Sequence, residues 1–374
     1  MRFTLSSTAL SSRLAALSKV LNSKNSLPIL DCFLFEVNNN TLSVTASDSE
    51  NVMKTSIALD YADAEGRFAI NSHTILDAMR ELPEQPLTLD VDTESMAVKV
   101  IYQNGMYSFT AQNADEYPQI QELHENVTTL TVEASVLYNN ISRSIFATAN
   151  EELRPVMNGI YFDLTADALA IVASDGHKLV RNKNYSIKTD VPAAFILPKK
   201  PATLLKNILA KDEGTAEIRF DERNAEITFS DGSLSCRLIE GRYPNYNSVI
   251  PQNNPNKLTI DRKVLLGALR RVLPFASESS QLVRLQIGGS KLIVSSEDID
   301  FYTSAKEEIT CDYDGNAMSI GFKGPSLTDI LNNLTSNDVT LELADPSRPC
   351  LIIPSEMPEN EDILMLIMPM LLND

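Results

Sequence analysis

A chain of 374 residues with 43% hydrophobic side chains can fill two or three cores, and its net charge of −18, taken alone, argues against a polyanionic partner. Cys32, Cys236, Cys311 and Cys350 are scattered with no Cys-x-x-Cys pair, which argues against a zinc cluster or a dense disulfide framework and suits a reducing, cytoplasmic compartment. No basic-then-apolar leader opens the chain, and the apolar run 363–372 is interrupted by Pro369 and too short to span a bilayer, so a soluble protein with no membrane partner is expected.

The first residues alternate as a strand, after which Ser6 or Ser7 can cap a helix over 6–24 with Leu10, Leu14, Leu17 and Leu21 on one face. Leu27-Pro28-Ile29-Leu30 reads as restarted extended structure, followed by strands at 32–37 and 42–46 with Asn38-Asn39-Asn40 as the hairpin turn. A strand at 52–59 and another at 67–70 lead to a helix over 71–82 carrying Ile75, Leu76, Met79 and Leu82, which Pro83 and Pro86 end. Strands at 87–91, 97–102 and 106–111 close this unit at Tyr117-Pro118.

The same order then recurs. A strand precedes a helix over 134–148, and the strand 193–197 runs into a helix over 198–211 that has Pro198 in its first turn and Leu204, Leu205, Ile208 and Leu209 on its apolar face. Turns at Glu222-Arg223-Asn224 and Asp231-Gly232 lead to Gly241-Arg242-Tyr243-Pro244, the counterpart of Tyr117-Pro118. After a linker at 251–256 a third unit carries helices over 261–275 and 323–333.

Direct sequence matches support a threefold repeat. Leu42-Ser43-Val44-Thr45-Ala46-Ser47-Asp48 is echoed by Leu169-Ala170-Ile171-Val172-Ala173-Ser174-Asp175 and by Leu292-Ile293-Val294-Ser295-Ser296-Glu297-Asp298, each an apolar run that stops at small residues and an acid. The segments at 3–10, 130–137 and 258–265 also align, at a period of about 127 residues, which suits a domain rather than a solenoid unit.

Charge separates by element type. The six helical segments hold fourteen basic and four acidic side chains, whereas the remainder of the chain holds eighteen and forty-six. Glutamate forms helices nearly as well as lysine, so propensity alone does not explain its scarcity there. The pattern points to helices facing a polyanion and acidic strands and loops facing outward, against the plainer reading of ordinary solvated faces.

Catalytic signatures are missing from the sequence: it has no Gly-x-Ser-x-Gly, P-loop, His-Glu-x-x-His or Rossmann glycine pattern. Asp312-Tyr313-Asp314-Gly315 opens like a calcium loop but lacks the closing glutamate and reads as a plain turn. Neither a metal nor a cofactor is expected. Asp175-Gly176-His177 offers one histidine at a turn, where a structural or contact role outweighs a catalytic one. Leu364 to Ile367 suits a buried last strand, while Met368-Pro369-Met370-Leu371-Leu372 suits an adaptable docking lip, since proline stops strand pairing and methionine adjusts to varied apolar ligands.

The chain resembles the bacterial DNA sliding clamp family, the β subunits of DNA polymerase III, through Leu27-Pro28-Ile29-Leu30, Ala173-Ser174-Asp175-Gly176-His177-Lys178-Leu179, Gly241-Arg242-Tyr243-Pro244-Asn245-Tyr246 and Met368-Pro369-Met370. The resemblance covers the whole chain. It implies an α+β fold of three tandem clamp domains, each with two helices and antiparallel sheets, at 1–122, 128–248 and 257–374. It further implies a non-catalytic head-to-tail homodimer ring that encircles double-stranded DNA without sequence preference and tethers replicative and repair DNA polymerases and the clamp loader. Helix cations Arg13, Lys19, Lys24, Arg80, Arg143, Lys199, Lys200, Lys206, Arg270 and Arg271 are the expected DNA contacts. Carried over by position, the partner-peptide pocket comprises Arg154, Met157, Ser174, Gly176, His177, Lys178, Leu179, Pro244, Val249, Pro349, Leu366, Ile367, Met368, Pro369, Met370 and Leu372. Lys178 stands where the family often has arginine, and Leu371 replaces a basic residue. The ring interface is placed at Leu82, Tyr107 and Phe109 against Pro274 and Phe275. Two readings from other classes remain at this point: a repeat-built scaffold that binds only protein, and an enzyme acting at the Asp175-Gly176-His177 turn.

Overall fold

The computed structural model describes residues 1–25, 27–118, 123–124 and 126–372. The first repeat runs β1 (Arg2–Ser6), α1 (Ser7–Leu17), β2 (Cys32–Asn38), β3 (Thr41–Ser47), β4 (Asn51–Ala58), β5 (Tyr61–Ala62), β6 (Gly66–Asn71), α2 (Ser72–Arg80), β7 (Pro86–Asp92), β8 (Ala97–Tyr102) and β9 (Gly105–Thr110). The second runs β10 (Thr128–Glu133), α3 (Ala134–Ser144), β11 (Gly159–Leu164), β12 (Leu169–Ser174), β13 (Lys178–Asn184), β14 (Ala193–Pro198), α4 (Lys199–Leu209), β15 (Thr215–Phe220), β16 (Asn224–Phe229) and β17 (Gly232–Arg237). The third runs β18 (Asn256–Asp261), α5 (Arg262–Val272), β19 (Leu282–Gly288), β20 (Lys291–Asp298), β21 (Thr303–Thr310), β22 (Asp312–Asp314), β23 (Met318–Lys323), α6 (Gly324–Asn332), β24 (Asp338–Leu343), β25 (Cys350–Pro354) and β26 (Glu361–Ile367). The three acid-ended stretches found in the sequence are β3, β12 and β20, each the middle strand of an antiparallel trio.

The chain forms two compact units, residues 1–138 with 203–238, and residues 139–202 with 239–374. In the first, one sheet has the order β5-β1-β7-β8-β9 and the other β10-β15-β16-β17-β4-β3-β2-β6. Strands of the first and second repeats thus share one continuous sheet through the β17–β4 pairing. In the second unit the order β14-β11-β12-β13-β26-β25-β24-β18-β22 joins the second and third repeats through β13–β26, beside a four-stranded sheet β21-β20-β19-β23.

Local chemistry accounts for the starts of α1, α2 and α5. Ser6 Oγ accepts the Ala9 amide, Asn71 Oδ1 accepts that of Thr74 at 3.2 Å, and Asp261 Oδ1 accepts that of Val264 at 2.8 Å, each satisfying a donor that a helix leaves open. On α1, Leu10, Leu14 and Leu17 are fully buried, and burying each contributes roughly 1.5–3 kcal/mol. In the first unit Phe35 and Phe68 stack with centroids 5.2 Å apart; in the second, Leu265, Leu269 and Val272 of α5 meet Leu327, Ile330 and Leu331 of α6 in one core. Asn39 and Asn40 adopt φ of 47° and 56°, the left-handed pair that a tight hairpin turn requires.

Three expectations are corrected. α1 ends at Leu17, so Lys19 lies beyond it as Lys24 does, and Val20 rather than Leu21 is fully buried after a turn of shorter-range bonds. Residues Pro28–Asp31 form a 3-10 turn instead of a strand, because proline's fixed φ suits a first helical turn. Pro198 ends β14 opposite Gly159, leaving Pro201 to occupy the first turn of α4. Among the described residues no helix is long and apolar enough to cross a membrane.

Candidate functional site

The turn between β12 and β13 is built around one carboxylate. Asp175 Oδ1 accepts the amides of His177 and Lys178, both at 2.9 Å, and Oδ2 pairs with Lys178 Nζ at 2.6 Å. Burial alone would raise this carboxyl, but those bonds outweigh it and hold it below the usual carboxylate range. Both oxygens of Asp175 therefore serve the turn, and the arrangement is not an Asp–His dyad. Gly176 has φ of 89°, a conformation that favours glycine, and a Cβ there would crowd the flexible end of Arg154 at 3.1 Å. Ser174 Oγ accepts the Gly176 amide at 3.1 Å and donates to the Lys178 carbonyl at 2.9 Å.

This turn meets the last strand. Lys178 pairs with Ile367 and Leu179 with Leu366, and the Met368 amide donates to the His177 carbonyl at 2.8 Å. Because side chains alternate along a strand, Leu179, Leu364 and Leu366 face one side of the sheet and join Val172, Leu351, Tyr243 and Tyr246, while Val180, Met365 and Ile367 face the other side and join the core of the third repeat. Ile367 is therefore corrected from pocket lining to core, and Lys178, which sits opposite it, is held by Asp175 on that same side. Leu179 and Leu366 are both buried in that first cluster. Tyr161 and Tyr243, stacked 4.7 Å apart, and Tyr246, whose hydroxyl donates to Asp163 Oδ2 at 2.8 Å, stiffen that face. Pocket positions Pro244, Val249, His177 and Met368 are exposed, and Pro349, Pro369, Met370 and Leu372 are half-buried. Met157 is buried and donates its amide to the Arg154 carbonyl at 3.0 Å, while the Arg154 side chain holds Glu151 at 2.9 Å. The tail is anchored: the Met370 amide donates to the Gly321 carbonyl at 2.8 Å. The three tyrosines and Leu351 were missed by sequence reasoning, although the Tyr243-x-x-Tyr246 spacing and the Leu364/Leu366 alternation carried the signal.

The basic side chains differ in their availability. Arg143 forms a 2.6 Å ion pair with Glu361 that is almost wholly buried, so it is corrected from a solvent-facing cation to a structural one. Arg13 pairs with Asp231 at 2.7 Å, Arg271 grips Glu307 through two nitrogens, and Arg270 donates to Asn332 Oδ1 at 3.0 Å. Lys19, Lys24, Arg80 and Lys199 are exposed, and Lys200 and Lys206 half-exposed. Lys211, absent from the sequence-based set, lines a groove of about 270 Å³ with Arg13 and Lys19.

Each of the four sheets has two outer strands, β9 and β21 among them. β9 is the outer strand of its sheet, with Tyr107 packed between Tyr102 at 5.0 Å and Phe109 at 6.4 Å, and Leu82 lies half-buried. β21 is the outer strand of another, beside exposed Ile299, Phe301 and Tyr302, the last 95% exposed. Pro274 and Phe275 are exposed in the 3-10 turn after α5. The apolar triplet at 299–302 was missed because a lone Ile-Asp-Phe-Tyr turn has no periodicity to read.

Family comparisons match this framework along nearly its full length. The N-terminal, central and C-terminal domain models of the DNA polymerase III beta subunit match residues 1–121, 131–245 and 247–371. The β sliding clamp of Pseudomonas putida is 26% identical over 371 residues, covering 99% of this chain and all of the relative, and that of Haemophilus influenzae is 26% identical over 374 residues with the same coverage. A crystal structure of the Pseudomonas aeruginosa sliding clamp bound to griselimycin superposes with a TM-score of 0.94 at 24% identity, and the Thermotoga maritima β subunit with 0.89 at 27%, each over all of both chains. With family models covering almost every residue, this chain belongs to the DNA polymerase III β subunit family, the bacterial sliding clamps.

Proposed function

We propose that two copies of this chain close head to tail into a ring around duplex DNA and confer processivity on the replicative polymerase, with no chemistry of their own. The carrying observation is the pattern of strand joints. The strand β4 of the first repeat pairs with β17, which ends the second, and β13 of the second pairs with β26, which ends the third. By the same rule β21 of the third repeat calls for a partner equivalent to β9, and both of these are open edges. A β9–β21 contact between copies is heterologous, and two copies of three domains complete the circle. Leu82, Tyr107 and Phe109 then meet Pro274 and Phe275, with Ile299, Phe301 and Tyr302 added to that interface.

The domains are read as 1–122, 128–248 and 257–374, the bounds at 122 and 374 lying outside the described residues. Lys19, Lys24, Arg80, Lys199, Lys200, Lys206, Arg270 and Arg271 supply a diffuse field to phosphates, with Arg13 and Lys211 beside them, and phosphate contacts position without reading sequence. Polymerases and the clamp loader dock short peptides over Leu179 and Leu366, where Pro244, Val249, His177, Met368, Pro369 and Met370 form an adjustable rim. The compartment is the cytoplasm. The reading is tested on nicked circular DNA: protein loaded by a clamp loader stays bound through gel filtration and is lost when the circle is linearised. Equal loss from circle and linear DNA would contradict topological binding.

A further inference from the structure

Row by row, the two internal joints are built alike. Leu130, Ile218, Ile227, Leu234 and Met53 face one another in turn across β10, β15, β16, β17 and β4. Leu258, Leu341, Ile352, Met365 and Val180 do the same across β18, β24, β25, β26 and β13. Leu130 and Leu258 hold matching places in the sequence repeat, and Phe3 holds the third. From Phe3 the row runs through Leu89 and Val100 to Tyr107 on β9, where it stops at an outer strand. The place that would complete it is Ala305, which faces Ser296 across β20 and β21 as Met53 faces Ala46 and Val180 faces Ala173. Met53 and Val180 are buried, whereas Ala305 and Tyr107 are each half-exposed.

Carrying that register across two copies puts Ala305 opposite Tyr107 and, two residues along the antiparallel strands, Glu307 opposite Gly105 on the same face. The β21 side of this place is charged: Arg271 of α5 donates from Nε to Glu307 Oε2 at 2.8 Å and from Nη2 to the other oxygen. Those bonds hold the Glu307 carboxyl below the usual carboxylate range, so it reaches the joint ionised. Arg271 is the tenth residue of an eleven-residue helix, as Arg143 is, yet it is 62% exposed against 11%. Arg143 finds its acid on the incoming strand; Arg271 takes one from its own edge strand and has no incoming strand over it.

The β9 side is shaped to match. Gly105 brings no side chain, but the Tyr102 hydroxyl fills that space, within 2.7 Å of where a Gly105 Cβ would stand, and the Tyr102 ring packs 5.0 Å from Tyr107. A carboxylate has lone pairs for about four hydrogen bonds and Arg271 uses two of them, so Glu307 has room for a phenol donor.

We infer that ring closure docks the Tyr102 hydroxyl of one copy onto the Glu307–Arg271 pair of the next, and that this contact fixes the register of the joint. The inference rests on the head-to-tail reading of the dimer. Arg271 thereby serves the joint as well as the phosphate field, and a charge-assisted bond is added to the apolar contacts already assigned to that interface.

The test uses the full-length dimer. Ser304 and Ser108 are exposed and opposite each other in the inferred register, so Ser304→Cys with Ser108→Cys gives a disulfide-linked dimer on mild oxidation, while Ser304→Cys with Met106→Cys, two residues out of register, does not. Tyr102→Phe, which removes only the hydroxyl, and Glu307→Gln each raise the dimer dissociation constant about fivefold or more in sedimentation, and the double variant is no weaker than the poorer single one, because both changes break one bond. Cross-linking through the shifted pair alone, an undiminished dimer in Tyr102→Phe, or losses that multiply in the double variant overturn the inference. A wild-type chain that sediments as monomer at micromolar concentration removes the head-to-tail reading itself, and the docking with it.

Discussion

The joint between β4 and β17 in the first unit and the joint between β13 and β26 in the second share backbone register and turn bonding, yet their side chains are buried to different degrees. Each is braced from the first helix of a repeat by an arginine that reaches an acid 218 residues further on: Arg13 to Asp231 at 2.7 Å, and Arg143 to Glu361 at 2.6 Å. The first brace has side chains 29% and 54% exposed, the second 11% and 9%. Repetition has thus kept the backbone device while the environment of each copy sets what the device contributes. An exposed ion pair is worth little, whereas removing one partner of a buried pair leaves an uncompensated charge.

The largest expected effect is therefore an asymmetry. Arg143→Ala should destabilise the protein by about 3–5 kcal/mol, against about 0–1 kcal/mol for Arg13→Ala. Denaturant unfolding of both variants checks it, and equal losses would mean that burial does not distinguish the joints. Next comes the joint that the single chain leaves open. Combining Phe275→Ala with Leu82→Ala should yield monomer at micromolar concentration, since burying each large side chain contributes about 1.5–3 kcal/mol. A tight dimer in sedimentation would move the interface away from these residues.

Removing 368–374 should abolish binding of polymerase and loader peptides and leave the dimer intact, while lowering the thermal midpoint slightly because the Met370 to Gly321 bond is lost. Loss of the dimer together with peptide binding would show that the tail is core. The smallest effect concerns acid. Asp175 lies below its ordinary value of 3.8, so it contributes stability that is fully present above that value and lost as pH falls through its depressed one. Peptide binding to the second unit should weaken below about pH 4, and Asp175→Asn should flatten that dependence. An unchanged acid profile in the variant would exclude Asp175 as its source.

The repeat, the six helices and the Asn39-Asn40 turn were legible because each follows from local periodicity or a local backbone requirement. What escaped was decided by distant partners. Nothing near Arg143 in the sequence reveals Glu361, so its withdrawal from the set of DNA-facing cations needed the fold. The consecutive pocket positions Leu366 and Ile367 could not both face a ligand once they lay on one strand, a consequence of alternation that positional matching to a family does not carry. Leu27-Pro28-Ile29-Leu30 was read as extended, whereas Pro28 begins a 3-10 turn, since proline's fixed φ suits both and the context decides. The open edges at β9 and β21 were invisible for a different reason: a strand's sequence does not state whether it has one neighbour or two.

Hydrogen–deuterium exchange of the wild-type dimer, compared with the Phe275→Ala, Leu82→Ala protein as monomer, tests the ring most directly. The account predicts that dimerisation adds amide protection in Gly105–Thr110 and Thr303–Thr310, with β4, β17, β13 and β26 already protected in both states. Protection gained elsewhere, with these two strands exchanging as open edges in the dimer, would contradict the head-to-tail joint on which the clamp reading stands.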